Sequence, residues 1–274
     1  MFSGLDMRRK NETGLFAGVR EAVDQALGVS DFATVRDTLG FKEHGYGAKT
    51  ATLVPALFGL INLNWDAAVQ NGRRSYSQDN FRWHFPQTKI VDHNTSAEVT
   101  LERALIRALL KAGRNDWSNQ VPLISGIAGP HAFKKRAVDL VQRRNEKVFE
   151  FVELKMQSDT PVYAAVEILV YGLLWLLSRR DREILHYPAG PMLGAGELRL
   201  SVLAPRNYYS RYSVEPLALA INDGLRKLGE QHGVTMSFRF TAFPESFSWP
   251  RQPAEPTKPS DSDLIAFLDD RETI

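Results

Sequence analysis

Charged residues interrupt apolar segments at two points in the middle of the chain. Asp139 lies within the run AVDLV, where a buried carboxylate is costly unless a partner or a metal compensates it. Glu153 and Lys155 follow in the run FEFVELK. In a strand these two side chains leave the same face, about 6 to 7 Å apart. We therefore expect Glu153 and Lys155 to share one polar site and Asp139 to need a compensating cation.

The strand face that carries this charged pair is otherwise apolar. Phe149 and Phe151 precede Glu153 on that face, whereas Glu150 points the other way. The pair therefore continues an apolar surface and does not form the solvated side of an edge strand.

An earlier segment adds two carboxylates on a helical stripe. At about 100° per residue, Glu98, Glu102, Leu105 and Leu109 fall on one narrow face of a helix. Packing of this helix over the sheet would bring one glutamate to the strand carboxylates. Three carboxylates carry more negative charge than one ammonium group balances, so they repel one another unless a further cation binds. Such oxygen ligands suit Mg²⁺ or Mn²⁺. Alternatively, the two glutamates cap or salt-bridge their own helix.

Hydrophobic periodicity predicts the elements that position these residues. A helix follows the N-cap Ser96 and stops at Gly113. The predicted strands are VPLIS from Val121, RAVDLV from Arg136, KVFEFVELK from Lys147, ELRLSVLA from Glu197 and VTMSFRFTAF from Val234, and two further helices run from Pro161 to Leu177 and from Leu217 to Leu228. GPMLGAG from Gly190 is expected to be a turn. This order indicates an α/β (α+β) fold with a central mixed sheet flanked by helices.

The two ends of the chain lack this pattern, so we predict three parts. Residues 1–94 form a mostly helical region with helical patches from Leu15 to Leu27 and from Asp31 to Leu39, residues 95–245 form the domain with the site, and residues 246–274 form a proline-rich tail. In the tail, prolines recur every three residues from Pro250 to Pro259, which is typical of an extended linker. DLIAFLDD from Asp263 either docks as a short helix or frays, and fraying is the preferred interpretation.

Composition excludes several classes of protein. The 34 basic and 32 acidic residues give a net charge of +2, so any polyanion site must be local. The absence of cysteine excludes disulfides, thiolate zinc sites and cysteine nucleophiles, and favours the cytoplasm. We expect no secretory leader and no membrane span, because the apolar stretch from Val162 to Leu177 carries Glu167 at its centre and reads as a core helix.

The order Glu102, Asp139, Glu153-Leu154-Lys155 resembles the PD-(D/E)xK nuclease superfamily, with its restriction-endonuclease-like and Holliday-junction-resolvase-like folds. LERALIRALLKAG from Leu101 is similar to the helix that bears the first acidic residue in resolvase-like members, which favours Glu102 over Glu98. Val138 holds the place of the proline in the family's motif. The resemblance covers roughly residues 96–243 and implies an αβββαβ core.

The resemblance implies a metal-dependent nuclease that hydrolyses phosphodiester bonds of DNA. Asp139, Glu153 and Glu102 would hold Mg²⁺ or Mn²⁺, and Lys155 would position the attacking water or stabilise charge on the phosphate. The expected supporting or substrate-contacting residues are Glu98, Glu167 and Tyr171, the last two resembling a Gln-x-x-x-Tyr arrangement with glutamate in place of glutamine, together with Lys134 and Arg136.

Two expectations stay open at this stage. The basic residues at the ends of the aspartate strand either track a phosphate backbone or are solvated strand ends; they are Lys134, Lys135, Arg136, Arg143 and Arg144. The chain itself is either a nuclease or a catalytically silent nuclease-fold module that binds nucleic acid or a protein. A protein partner would use the N-terminal region or the C-terminal tail, and a homodimer is a further expectation.

Overall fold

The computed structural model describes residues 14–32, 50–70, 79–83, 86–89, 96–124, 136–188, 190–250 and 258–274. Lys134, Lys135, most of the expected helical patch from Asp31 to Leu39, and the middle of the proline series lie outside these residues.

Within the described ranges, seven helices surround an open sheet of six strands. The helices are α1 (Val19–Leu27), α2 (Leu53–Gln70), α3 (Ala97–Lys111), α4 (Pro161–Arg180), α5 (Pro191–Gly194), α6 (Glu215–His232) and α7 (Asp261–Asp269). The strands are β1 (Trp117–Pro122), β2 (Ala137–Asn145), β3 (Val148–Leu154), β4 (Glu197–Ala204), β5 (Thr235–Ala242) and β6 (Glu272–Thr273). The predicted α/β class, with its order of helix, three strands, helix and strand, is confirmed.

The sheet is mixed, and its strands follow chain order from β1 to β6. The first three strands are antiparallel neighbours, β3, β4 and β5 run parallel, and β6 pairs antiparallel with β5. The carboxyl ends of β3, β4 and β5 therefore meet at one edge of the sheet, where the antiparallel β2 begins. This edge brings the predicted aspartate strand beside the Glu-x-Lys segment.

Two apolar clusters cover the two faces of the sheet. Phe149 and Phe151 pack towards α4, and α1 and α2 contribute Val23 and Leu57 to the same cluster. On the other face, Leu154 packs with residues of α3 and α7. The described N-terminal helices thus share a core with the sheet, while the domain boundary at residue 94 stays a prediction.

Helix α4 is the crossover between the parallel strands β3 and β4. The Thr160 hydroxyl accepts a hydrogen bond from the N–H of Tyr163, and Pro161 occupies the first turn, where its missing N–H is harmless. Among the described helices α4 alone is long and apolar enough to span a membrane, yet its most apolar window is wholly buried inside the protein. The expectation of a core helix is therefore confirmed.

Several element boundaries differ from the expectation, among them the end of β2, which lies at Asn145 and not at Val141. Strand β1 begins at Trp117, four residues before Val121, because the buried polar residues Ser118 and Asn119 hide the strand from an apolar pattern. The glycine-rich segment from Gly190 is not only a turn, since it holds the one-turn helix α5 with Pro191 at its start.

The C-terminal segment docks on the sheet, so the expectation that it frays is wrong. Leu264 and Leu268 of α7 are buried beside α3. After the helix, Arg271 donates hydrogen bonds to Glu150 Oε2 and Gln142 Oε1, both at 3.0 Å. Strand β6 then pairs with β5. The sequence pattern of two leucines one turn apart was too short to predict docking, because the hydrogen bonds of Arg271 that fix the segment leave no such pattern.

Replacement of Leu268 by alanine tests this docking. Leu268 is 0% exposed, so Leu268→Ala is expected to lower the free energy of unfolding by about 2–5 kcal/mol through lost apolar contacts and a residual cavity. Leu63 is 69% exposed, and Leu63→Ala is the matched control with an expected effect within about 0.5 kcal/mol. Urea unfolding measures both, and equal stabilities would contradict a docked α7.

Candidate functional site

Asp139 and Glu153 lie opposite each other on neighbouring strands. The antiparallel ladder pairs Leu140 with Val152, so the next pair in the same register is Asp139 and Glu153. Directly opposed residues in such a ladder have Cβ atoms about 4.5–5.5 Å apart. The N–H of Leu154 donates to Asp139 Oδ2 at 3.0 Å, which fixes the orientation of that carboxylate. The sheet thus brings together two acids that are 14 residues apart in the chain.

Lys155 is enclosed by carboxylates at the end of β3. Its Nζ lies 2.8 Å from Glu153 Oε1, 3.1 Å from Glu167 Oε2 and 3.8 Å from Asp159 Oδ2. Burial by itself lowers the pKa of Lys155, but the charges of Glu153 and Glu167 outweigh burial and hold that pKa well above its usual value. The amine is therefore a cation at neutral pH.

Two residues of helix α4 fix the position of the Lys155 amine. Glu167 is fully buried and holds Lys155 through one carboxylate oxygen, while Tyr171 donates its hydroxyl to the other, Oε1, at 3.3 Å. Burial and the charge of Glu167 raise the pKa of Tyr171 well above its usual value, so the phenol remains a neutral donor. Glu167 and Tyr171 thus lie beside Lys155, as expected from the sequence, in a closed interior position.

Glu102 reaches the site from α3 through two amides of β1. Asn119 Nδ2 donates to Glu102 Oε1, and Gln120 Nε2 donates to Glu102 Oε2 at 2.9 Å. The same Gln120 nitrogen lies 3.5 Å from Asp139 Oδ1. Gln120 therefore links the carboxylate of α3 to that of β2.

Gln120 is a site residue that the sequence interpretation missed. Its φ of 51° lies in the left-handed region, which is strained for a residue with a side chain. The β1–β2 ladder pairs its neighbours Asn119 and Val121 with β2 but skips Gln120, opposite Asp139. The only signal was the polar run from Ser118 to Gln120, which lies before the predicted start of the strand at Val121.

Glu98 has a different place from Glu102. It lies in the first turn of α3, and its Oε1 accepts hydrogen bonds from the N–H of Met156 at 3.0 Å and from the Ser158 hydroxyl. These bonds hold the loop that directly follows Lys155. Glu98 therefore orders the rim of the site, whereas Glu102 is 2% exposed and bonded into β1.

Burial and mutual repulsion favour the protonated forms of these acids. Burial, reinforced by the charge of Asp139, raises the pKa of Glu102 to about 8. Burial raises the pKa of Asp139 to about 7, although Lys155 and the N–H of Leu154 lower it. Burial and the charges of Asp139 and Glu167 raise the pKa of Glu153 well above its usual value. If all of these acids were ionised, their negative charge would exceed what one ammonium ion can compensate, so the group retains protons until a further cation binds.

The donor set suits a hard divalent cation at Asp139 and Glu153. In the described ranges no three acidic or histidine side chains converge as a ready-made metal site. Magnesium, however, usually takes only one or two protein carboxylates and keeps several waters. Because Lys155 now neutralises Glu153, a cation bound to Glu153 would have to displace part of that ion pair.

The described basic residues around β2 have contacts within the protein. Arg136 is 7% exposed, and its guanidinium lies 4.0 Å above the centre of the Phe16 ring. Arg143 lies over Trp83, and Arg144 pairs with a buried glutamate of β3. Arg136 is therefore mostly buried against Phe16, and its expected role as a supporting or substrate-contacting residue stays a prediction.

Tyr208 is a second residue that sequence reasoning missed. It ends a short 3₁₀ helix, Arg206–Tyr208, that follows β4, and the N–H of Lys155 donates to Leu203 O of β4 at 2.9 Å. The Tyr208 hydroxyl is buried and has no hydrogen-bond partner in the part of the chain that the structure describes. Burial raises the pKa of Tyr208, opposed by the charge of Lys155, so it is a neutral donor at the site edge. A loop tyrosine carries no periodicity that could have predicted this.

A pH profile of stability tests the buried state of Glu102. Between its ordinary pKa of 4.5 and about 8, folded Glu102 keeps a proton that the unfolded chain releases. Its contribution to stability is therefore present below pH 4.5 and is lost as the pH rises through 8. Glu102→Gln is expected to flatten this decline in urea unfolding from pH 5 to 9, whereas the exposed control Glu146→Gln keeps the parent's slope. If the stability of Glu102→Gln declined with pH as steeply as that of the parent, Glu102 would be solvated in the folded protein.

Paired tyrosine substitutions test whether the Tyr208 hydroxyl serves stability. Tyr209, its neighbour, donates to the carbonyls of Val202 and Thr241, both at 3.0 Å, so Tyr209→Phe should lower the free energy of unfolding by about 1 kcal/mol. Tyr208→Phe removes an unpartnered buried hydroxyl and should leave stability unchanged or raise it by about 1 kcal/mol. Equal losses in thermal and urea unfolding would contradict this difference.

Comparison of the chain with protein-family models, curated proteins and solved structures finds no match. The function is therefore inferred from the chemistry of the site. Its main features are two opposed carboxylates, a buried cationic amine and a strained glutamine that ties in a third carboxylate.

Proposed function

We propose that the chain is a metal-dependent nuclease that hydrolyses phosphodiester bonds of DNA and is similar to the PD-(D/E)xK superfamily. The observation that carries this proposal is the opposition of Asp139 and Glu153 at the strand ends, next to the cationic Lys155. Phosphodiester hydrolysis needs neutralised phosphate charge and a positioned water. Two carboxylates with raised pKa values and a neighbouring amine provide the protein groups for both needs.

Each residue has a role that follows from its contacts. Asp139 and Glu153 would hold Mg²⁺ or Mn²⁺, and Glu102 orients Asp139 through Gln120. A bound ion of this kind neutralises phosphate charge and makes a bound water more acidic. Lys155 keeps its proton, so it stabilises negative charge on the phosphate oxygens or orients the water and does not act as a base.

The remaining residues position these groups. Glu167 and Tyr171 hold the Lys155 amine at a fixed place, and Glu98 holds the following loop. The Tyr208 hydroxyl has a free proton to donate at the site edge and is a further candidate for contact with a phosphate oxygen. We place this activity in the cytoplasm, because a chain without cysteine suits a reducing compartment.

A second function is supported by one specific observation. Lys155 makes ion pairs with both Glu153 and Glu167, which is a closed arrangement that could serve stability alone. On this basis the chain would be a catalytically silent module of the nuclease fold that binds nucleic acid or a protein partner. The two functions differ in whether Asp139 and Glu153 bind a divalent cation.

Cleavage assays with site variants test the nuclease proposal. The full chain is incubated with linear, plasmid and branched DNA in Mg²⁺ or Mn²⁺, and cleavage is expected. Asp139→Asn and Lys155→Met should each lower the rate by about 100-fold or more, because each removes charge stabilisation from the reaction centre. Glu146→Gln and Lys227→Met change an exposed acid and an exposed amine and should keep the parent's rate.

Thermal unfolding separates the two functions without relying on cleavage. Mg²⁺ is expected to raise the Tm of the parent, and more at pH 8 than at pH 6, because protons then compete less for the raised carboxylates. Asp139→Asn should lose this shift while remaining folded. DNA binding with neither cleavage nor a magnesium-dependent Tm would support the silent module and contradict the nuclease.

A further inference from the structure

A cleft of about 430 Å³ opens beside the candidate site, at the edge where the three parallel strands end. Ligands of α/β proteins commonly bind outside the carboxyl ends of parallel strands. The cleft is lined by residues that follow β3, β4 and β5, among them Met156, Gln157, Asn207, Phe247, Ser248 and Trp249. Met156 directly follows Lys155, so the two Cα atoms are about 3.8 Å apart. The cleft and the site around Lys155 therefore lie at the same end of β3, where Glu98 accepts a hydrogen bond from the N–H of Met156.

The aromatic residues of the cleft are held in place by other contacts. Trp249 is 8% exposed, and its indole N–H donates to Thr100 Oγ1 of α3 at 3.3 Å. The Phe247 ring stacks on Phe243, with centroids 4.0 Å apart and planes 9° apart. Rigid aromatic rings of this kind suit flat apolar ligands, because the rings lose little freedom on binding.

The polar part of the cleft is mainly neutral. Gln157, Asn207 and Ser248 provide amide and hydroxyl groups, which can donate and accept hydrogen bonds. The charged lining residues are one of each sign, Arg206 and Glu245, and Arg206 is paired with Glu272 of β6. The cleft thus lacks the excess positive charge of a phosphate site. Its aromatic walls and neutral hydrogen-bonding groups suit a nucleobase instead.

We infer that this cleft receives one unpaired base of the substrate, adjacent to the phosphate held at Asp139, Glu153 and Lys155. The inference rests on the proposed nuclease function and specifies its substrate class. A base inside a continuous duplex is paired and stacked, so it enters such a cleft only after extrusion. The substrate is therefore single-stranded or branched DNA with an unpaired nucleotide at the cleavage point.

An abasic scan of a single-stranded oligonucleotide tests this inference. One abasic nucleotide is moved along the strand, and kcat/KM is measured for each position. We expect a loss of about tenfold when the missing base is next to the cleaved bond, and no loss when it is distant. Asn207→Ala, at an exposed position, should slow cleavage of intact strand and reduce the penalty of the abasic nucleotide, whereas Lys227→Met should change neither. Continuous duplex should be cleaved at least tenfold more slowly than single strand.

Binding of a five-nucleotide strand to the Asp139→Asn variant gives a readout that does not need cleavage. Tryptophan fluorescence should be quenched on binding, and the quenching should be lost in Asp139→Asn combined with Trp249→Phe or weakened with Asn207→Ala. Cleavage with no abasic penalty would overturn the inference while leaving the nuclease intact. If no cleavage occurs, the nuclease proposal fails, and the fluorescence titration alone decides whether the cleft binds a base: unchanged fluorescence overturns it.

Discussion

The burial of one ammonium group among several carboxylates is the interaction on which the candidate site depends. Lys155 can stay buried and charged only because Glu153 and Glu167 contact its amine. It cannot neutralise all the acids around it, and burial raises the pKa values of Asp139 and Glu102 to about 7 and about 8. Strand register holds Asp139 opposite Glu153 at the end of the sheet, and two helices bring Glu167 and Glu102 to the same place.

On the opposite face of β3, the carboxylate of Glu150 is fully compensated by positive charge. Glu150 is also buried, yet it contacts Arg144, Arg239 and Arg271 and accepts a hydrogen bond from Ser201. Burial raises its pKa, but the three guanidinium groups outweigh burial and lower that pKa to about 2. Its role is structural, since it anchors the C-terminal segment through Arg271. The pKa of Glu150 is lowered, whereas the pKa of Glu153 on the other face of β3 is raised. This difference distinguishes a stabilising ion cluster from a candidate reaction centre.

The sequence was sufficient for the parts of the structure that depend on local pattern. Period-two alternation predicted β3 and the shared face of Glu153 and Lys155, and the α3 stripe predicted that one of its two glutamates reaches the strand carboxylates. The docking of α7 and the roles of Gln120 and Tyr208 depend on contacts between distant segments. Gln120 is at the site because its backbone has a left-handed conformation, and Tyr208 is there because a short 3₁₀ helix follows the end of β4. Neither feature leaves a periodic signal in the chain.

The ion pairs of Lys155 do not by themselves indicate a catalytically silent module, because acids outnumber the amine around it. A structural ammonium ion needs one well-placed carboxylate, and at Glu150 the cations outnumber the acid they surround. Around Lys155 the ratio is reversed, because Glu153, Glu167 and Asp159 all lie within 4.0 Å of one amine and Asp139 acts on it as well. A cation held by Asp139 and Glu153 would relieve this excess, while Glu167 would keep the Lys155 amine beside them.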